Sequence, residues 1–138
     1  MSPSHKPILL VEDDHVDAMT VKRAMKDIQI ENPLHIVFNG EDALEYLRDP
    51  NNTYPYFILL DLNMPKMTGI ELLRIMKKDR ELKRIPVVIL TSSREQQDKV
   101  DCFELGVSGF ILKPVEYEEF VDILRTIKLY WKLNEPPG

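Results

Sequence analysis

Apolar residues collect in four short unbroken runs, Ile8 to Val11, Phe57 to Leu60, Val87 to Leu90 and Phe110 to Leu112. An unbroken run of this length predicts a strand covered on both faces of a parallel sheet, because a half-exposed strand alternates instead. A fifth run, Leu34 to Phe38, carries His35 at its centre and is the candidate edge strand. Between the runs the apolar spacing changes to helical period. Ala18, Val21, Met25 and Ile28 form one stripe, Ala43, Leu44 and Leu47 a second, and Ile70, Leu73 and Met76 a third. Val100 and Phe103 mark a fourth helix, and Phe120, Ile123, Leu124 and Ile127 a fifth. Thr68 with Glu71, and Ser93 with Gln96, have capping-box spacing. Asp14 and Asp17 place negative charge where the first helix dipole favours it, and Gly106 follows Leu105 as a helix terminator. Strand and helix thus alternate five times. The pattern predicts an α/β fold, a (βα)5 doubly wound parallel sheet of flavodoxin-like order 2-1-3-4-5.

Length changes this picture little, since 138 residues suit one domain. Its core is expected over about residues 7–128, with 129–138 as a C-terminal extension used for interaction. A chain of this size buries roughly two-thirds of its unfolded surface, so it needs no disulfide or structural metal to form a core. With 43% apolar residues it is not a disordered chain. The 23 acids against 18 bases, a formal charge of −5, argue against nucleic acid or an anionic membrane as partner. The basic clusters Lys77-Lys78 and Lys83-Arg84 read as a solvated helix face and loop. The single cysteine, Cys102, fits a reducing compartment. The segment from Met1 to Pro7 does not resemble a signal peptide, and no apolar run approaches the roughly 20 residues of a membrane span. A cytoplasmic location is the expectation.

Open sheets of this kind bind ligands at the carboxyl ends of their strands. Glu12, Asp13 and Asp14 follow the first run, Asp61 the third, Thr91 the fourth, and Lys113-Pro114 the last. Singly, these residues read as a helix cap, a turn aspartate, a strand-ending β-former and a surface lysine. Their joint position at the ends of four strands is the signal. With the first and third strands adjacent, Glu12, Asp13 and Asp61 converge and repel unless a cation intervenes. An all-oxygen cluster with open positions suits Mg²⁺. The shared chemistry is phosphoryl transfer to Asp61, a carboxylate nucleophile. Lys113 would hold a phosphoryl oxygen, Thr91 would donate to the same group, and the Asn63 carbonyl would face the metal.

At these residues the chain resembles a response-regulator receiver domain of two-component signalling. The resemblance rests on Ile8 to Asp14, on Leu60 to Pro65 followed by Gly69, on Thr91-Ser92, and on Phe110 with Lys113-Pro114. It spans about Pro7 to Lys128. It implies that Asp61 accepts a phosphoryl group from a histidine-kinase phosphohistidine, with Mg²⁺ held by Glu12, Asp13, Asp61 and the Asn63 carbonyl. It also implies that Thr91 and Lys113 touch the acyl phosphate and that Phe110 is the rotating switch aromatic. Glu12 stands where many relatives have Asp, and Phe110 where Tyr is common, so no phenol hydroxyl serves the switch. The Lys113–Pro114 bond is expected to be cis, and Asn63 and Ser93 occupy positions that tune the phosphoryl lifetime in the family.

No output domain is expected after the last helix, so signalling would pass by protein contact. That helix adds Val121, Leu129, Tyr130, Trp131 and Leu133 to its apolar stripe. A helix apolar almost all round is buried or meets a partner. A homodimer through the fourth and fifth helices, the fifth strand and the tail is the expectation. The ending from Tyr130 to Pro137 and the loop from Asp49 to Tyr56 are similar to small regulators paired with phytochrome-type histidine kinases. A non-photoreceptor kinase is the alternative donor, and a constitutive pseudo-receiver the alternative class. A phosphatase of the haloacid dehalogenase type would need an aspartate where Asn63 stands and its nucleophile on the first strand. A flavin-binding relative would not place Glu12, Asp13 and Asp14 where the flavin phosphate must sit.

Overall fold

A computed structural model describes residues 6–113 and 116–133, with side chains as far as residue 129. Five parallel strands, β1 (Ile8–Val11), β2 (Leu34–Val37), β3 (Phe57–Leu60), β4 (Val87–Thr91) and β5 (Gly109–Leu112), form one sheet of order β2-β1-β3-β4-β5. The helices are α1 (His15–Asp27), α2 (Gly40–Arg48), α3 (Gly69–Lys78), α4 (Gln96–Glu104) and α5 (Tyr117–Leu133). A 3-10 turn, Leu82–Arg84, precedes β4. This is the flavodoxin-like α/β arrangement that the apolar runs predict.

The unbroken runs are explained by two cores, one on each face of the sheet. Leu9, Val11, Ile58, Leu60, Val87 and Ile89 point into one core with α2, α3 and Cys102 of α4. Their strand neighbours Ile8, Leu10, Phe57, Leu59, Val88 and Leu90 enter the other with α1 and α5. Alternate residues thus serve opposite faces, so the central strands are apolar on both, and Thr91 at the end of β4 is their one polar residue. β2 is an edge strand as expected, and His35 lies exposed on it with its ring stacked 4.4 Å from that of Tyr46. β5 is the other edge, and of its apolar residues Ile111 is buried while Leu112 is exposed.

Two local expectations are corrected. The spacing of Ser93 and Gln96 predicts a capping box, but α4 begins at Gln96 with Glu95 as its cap residue and no side-chain cap bond. The Ser93 hydroxyl instead donates to Asp98 Oδ2 at 2.5 Å and accepts from the Glu95 amide. The proposed stripe of α4 also faces the wrong way, since Val100 and Phe103 are exposed and Cys102 is fully buried. A helix against an edge strand has too little apolar area beneath it to cover a full stripe. Thr68 and Asp14 do cap α3 and α1, accepting from Glu71 N and from Val16 N and Asp17 N. Gly106 follows α4 with φ +81°, a conformation glycine adopts without Cβ strain. The expected cis bond at Pro114 and the side chains of Tyr130, Trp131 and Leu133 lie outside the described residues.

α1 and α5 lie side by side. Tyr117 donates its hydroxyl to Asp27, Arg23 lies 4.3 Å above the Tyr117 ring, and Lys128 Nζ donates to the Ile28 and Gln29 carbonyls. Among the described residues no helix is long and apolar enough to cross a membrane.

Candidate functional site

The neighbouring strands β1 and β3 end at the same level and deliver their next residues, Glu12 and Asp61, to one crevice. The Glu12 amide donates to the Val37 carbonyl at 3.0 Å and the Asp61 amide to the Val11 carbonyl at 3.0 Å, so β1 and β3 continue in register one step past their last apolar residue. One carboxylate oxygen from each of Glu12, Asp13 and Asp61 lies within 4.8 Å of the others. Glu12 and Asp61 are buried, at 1% and 6% exposure, and Asp13 is exposed at the mouth. A buried acid pair beside an open acid is a donor set of hard oxygens with room for water, and it fits a divalent cation such as Mg²⁺. The Asn63 amide donates to Asp61 Oδ1 at 3.3 Å, which turns the chain back over the Asp61 carboxylate.

Thr91 ends β4 fully buried, and its hydroxyl accepts from the Ser93 amide at 3.2 Å. The Lys113 amide donates to the Thr91 carbonyl at 2.7 Å, so the hydroxyl and the lysine are fixed to one another through the backbone. Lys113 Nζ donates to Glu12 Oε1 and to Asp17 Oδ2, each at 2.7 Å. Among the described residues no ion pair within 4.0 Å joins Lys113 to Asp61. Phe110 stands apart from the acids. Its half-buried ring is 6.3 Å from that of Phe103, and Lys99 Nζ lies 5.9 Å from its centroid.

Burial pushes the Glu12 carboxyl up to about 7, with the nearby Asp61 charge adding to the rise and the Lys113 hydrogen bond opposing it. For Lys113 burial disfavours the charge, but the hydrogen bonds to Asp17 and Glu12 outweigh it and hold the ammonium above its ordinary range. The arrangement offers a buried carboxylate, an acid cluster that fits a cation, a hydroxyl and a fixed ammonium.

The model of the response regulator receiver domain matches residues 8–125. The chain belongs to this family. The receiver is 36% identical over 130 residues to the response regulator Rcp1 of Synechocystis sp., covering 91% of this chain and 88% of that one. It is 35% identical over 135 residues to the probable methanogenesis regulatory protein FilR2 of Methanothrix harundinacea, covering 95% and 87%. The structure of the phosphorylated cyanobacterial phytochrome response regulator RcpA superposes with a TM-score of 0.86 at 34% identity, covering 97% of this chain and 99% of that one. Rcp1 also has a solved Mn²⁺-bound form, with TM-score 0.82 at 36% identity over 91% of this chain and 94% of that one. Receivers are signalling proteins of two-component systems and hold divalent metal at an acidic pocket, with which the cluster of Glu12, Asp13 and Asp61 agrees.

Each of the predicted residues Glu12, Asp13, Asp61, Asn63, Thr91 and Lys113 therefore lies at the carboxyl end of the sheet, and Phe110 lies on β5 facing α4. The sequence marks Asp17 only as a complement to the helix dipole. Its pairing with Lys113 joins positions 96 residues apart, which no local spacing announces.

Proposed function

We propose that this receiver accepts a phosphoryl group on Asp61 from a histidine-kinase phosphohistidine. The observation that carries the reading is a buried Asp61, without a lysine ion pair among the described residues, inside a three-carboxylate pocket. An Asp61 oxygen attacks phosphorus, an O–P bond forms, the donor's N–P bond breaks, and the imidazole leaves and takes a proton from water. Glu12, Asp13, Asp61 and the Asn63 carbonyl would hold Mg²⁺, which when bound neutralises charge on the phosphoryl oxygens. Lys113 presents a donor to one phosphoryl oxygen and Thr91 turns its hydroxyl toward another. Phe110 then takes the space that Thr91 leaves. Moving such a switch from 1:99 to 99:1 needs about 5.5 kcal/mol of preference for the phosphorylated state.

The named donor is a phytochrome-type kinase, supported by the likeness to RcpA, whose structure is described as a phytochrome response regulator. The comparable likeness to FilR2 supports the alternative of a non-photoreceptor kinase. Output passes by protein contact from a cytoplasmic single-domain core at about 7–128. A homodimer through α4, β5, α5 and the 129–138 extension is supported by exposed Val100, Phe103, Leu112 and Leu129 on those elements.

Intact mass after incubation with acetyl phosphate and Mg²⁺ tests the acceptor. One labile phosphate adduct is expected on the wild type and none on Asp61→Asn. Absence of the adduct at every Mg²⁺ concentration would leave a constitutive interaction module instead. Replacing acetyl phosphate by a purified phytochrome-type kinase, and separately by a non-photoreceptor kinase, tests the donor through the relative rates of transfer.

A further inference from the structure

We propose that Asp17 is the positioning residue for Lys113, holding its ammonium in the pocket but off Asp61. The inference rests on Asp61 being the phosphoacceptor. A lysine ammonium has three donors. Two are committed here, to Glu12 Oε1 and Asp17 Oδ2 at 2.7 Å each, which leaves one for an arriving phosphoryl oxygen. The two carboxylates are not equivalent. Glu12 belongs to the acid cluster and gives up part of its charge to any cation bound there, whereas Asp17 is outside that cluster. When a cation is bound, Asp17 is the counter-charge that keeps Lys113 in place.

Both ends of this pair are rigidly mounted. Asp17 lies in the first turn of α1, where its amide donates to the capping Asp14 Oδ1 at 3.0 Å. Lys113 is fixed by its amide bond to the Thr91 carbonyl. The Lys113 side chain is 14% exposed and that of Asp17 38%, so the ammonium is withdrawn from water and needs a partner. Without Asp17, the remaining acids of the pocket are Glu12, Asp13 and Asp61. A lysine paired with Asp61 would blunt the nucleophile, and one held by Glu12 alone would compete with the cation for it. Asp17 removes both conflicts by taking the ammonium sideways.

The test is the rate of adduct formation with acetyl phosphate at saturating Mg²⁺, read by intact mass, for wild type, Asp17→Asn, Asp17→Glu, Lys113→Met and the double variant Asp17→Asn/Lys113→Met. Asp17→Ser serves as a second neutral variant should Asp17→Asn disturb folding, with urea midpoints compared for all. Asp17→Asn is expected to slow the reaction about tenfold, the scale of one charge-assisted hydrogen bond, and Asp17→Glu to restore most of the rate. In the Lys113→Met background the Asp17 change should alter the rate by less than about twofold, because the two residues act as one unit. An unchanged rate in both neutral variants overturns the proposal. So does an equal slowing with and without Lys113, which would mark Asp17 as a helix-dipole residue. A wild type that takes no phosphate fails the acceptor reading itself, a result separate from either of these.

Discussion

Glu12 is held between opposed influences, buried at 1% exposure yet hydrogen-bonded to the Lys113 ammonium. Its carboxyl titrates near 7 in the folded protein against 4.5 as its ordinary value. A raised acid binds its proton more tightly when folded. The stability this adds is complete below about pH 4.5 and is lost as pH rises through about 7. The metal-free protein is therefore expected to lose about 2 kcal/mol between pH 5 and pH 7.5 in urea titrations. Saturating Mg²⁺ should flatten that slope, since a bound cation holds Glu12 ionised, and Glu12→Gln should abolish it. A slope that survives Glu12→Gln would assign the effect to other groups. The identities at the site were readable in the chain, because each charged residue follows an apolar run directly. How Lys113 is shared between Glu12 and Asp17 was not, because α1 and β5 meet only in the folded protein.

At the scale of elements, the loop from β3 to α3 governs how Asp61 is presented. The Gly69 amide donates to the Leu62 carbonyl at 3.0 Å, which folds the loop onto itself. A Cβ at Gly69 would lie 2.6 Å from the Asp61 carbonyl oxygen and 2.8 Å from Leu62 Cα, both backbone atoms that cannot turn aside. Gly69→Ala is expected to cost about 1–3 kcal/mol in chemical denaturation, as overpacking of a tight contact does. It should also slow adduct formation, because relief of the clash must displace the Asp61 backbone. Full stability in this variant would show that the loop yields freely. The α4 segment shows the opposite case, where sequence reading went astray. Ser93 and Gln96 have the spacing of a cap, but Ser93 spends its hydroxyl on Asp98, five residues along. Pair spacing alone does not say which of several nearby acceptors a short hydroxyl will choose.

For the whole molecule, the two cores leave the α4–β5 edge with exposed apolar side chains, Val100, Phe103 and Leu112 at 39%, 52% and 39%, and α5 continues beyond them with Leu129 at 57%. The inner stripe of α5 is spent on the sheet, since Phe120 and Leu124 are buried at 2% and 1%. An edge with this much uncovered apolar surface favours association. Deleting residues 129–138 is expected to convert a dimer of the full chain into a monomer in light scattering at the same concentration. A dimer that persists after the deletion would move the interface away from the extension.

The fold class follows from the chain alone, because strands buried on both faces are apolar runs and a helix on a sheet is apolar on one stripe, while the crossover rule narrows the strand order to a few of which 2-1-3-4-5 is favoured. The same continuity put the acids, the threonine and the lysine at strand ends, which is where a parallel sheet gathers its ligands. Tertiary structure was needed to decide partnership and exposure. Which carboxylate holds Lys113, which face of α4 is covered, and how closely Gly69 meets Asp61 all depend on distances between segments remote in sequence. Hydrophobic periodicity encodes which side of an element is inward, whereas the choice among competing polar partners is made only once packing has set those distances.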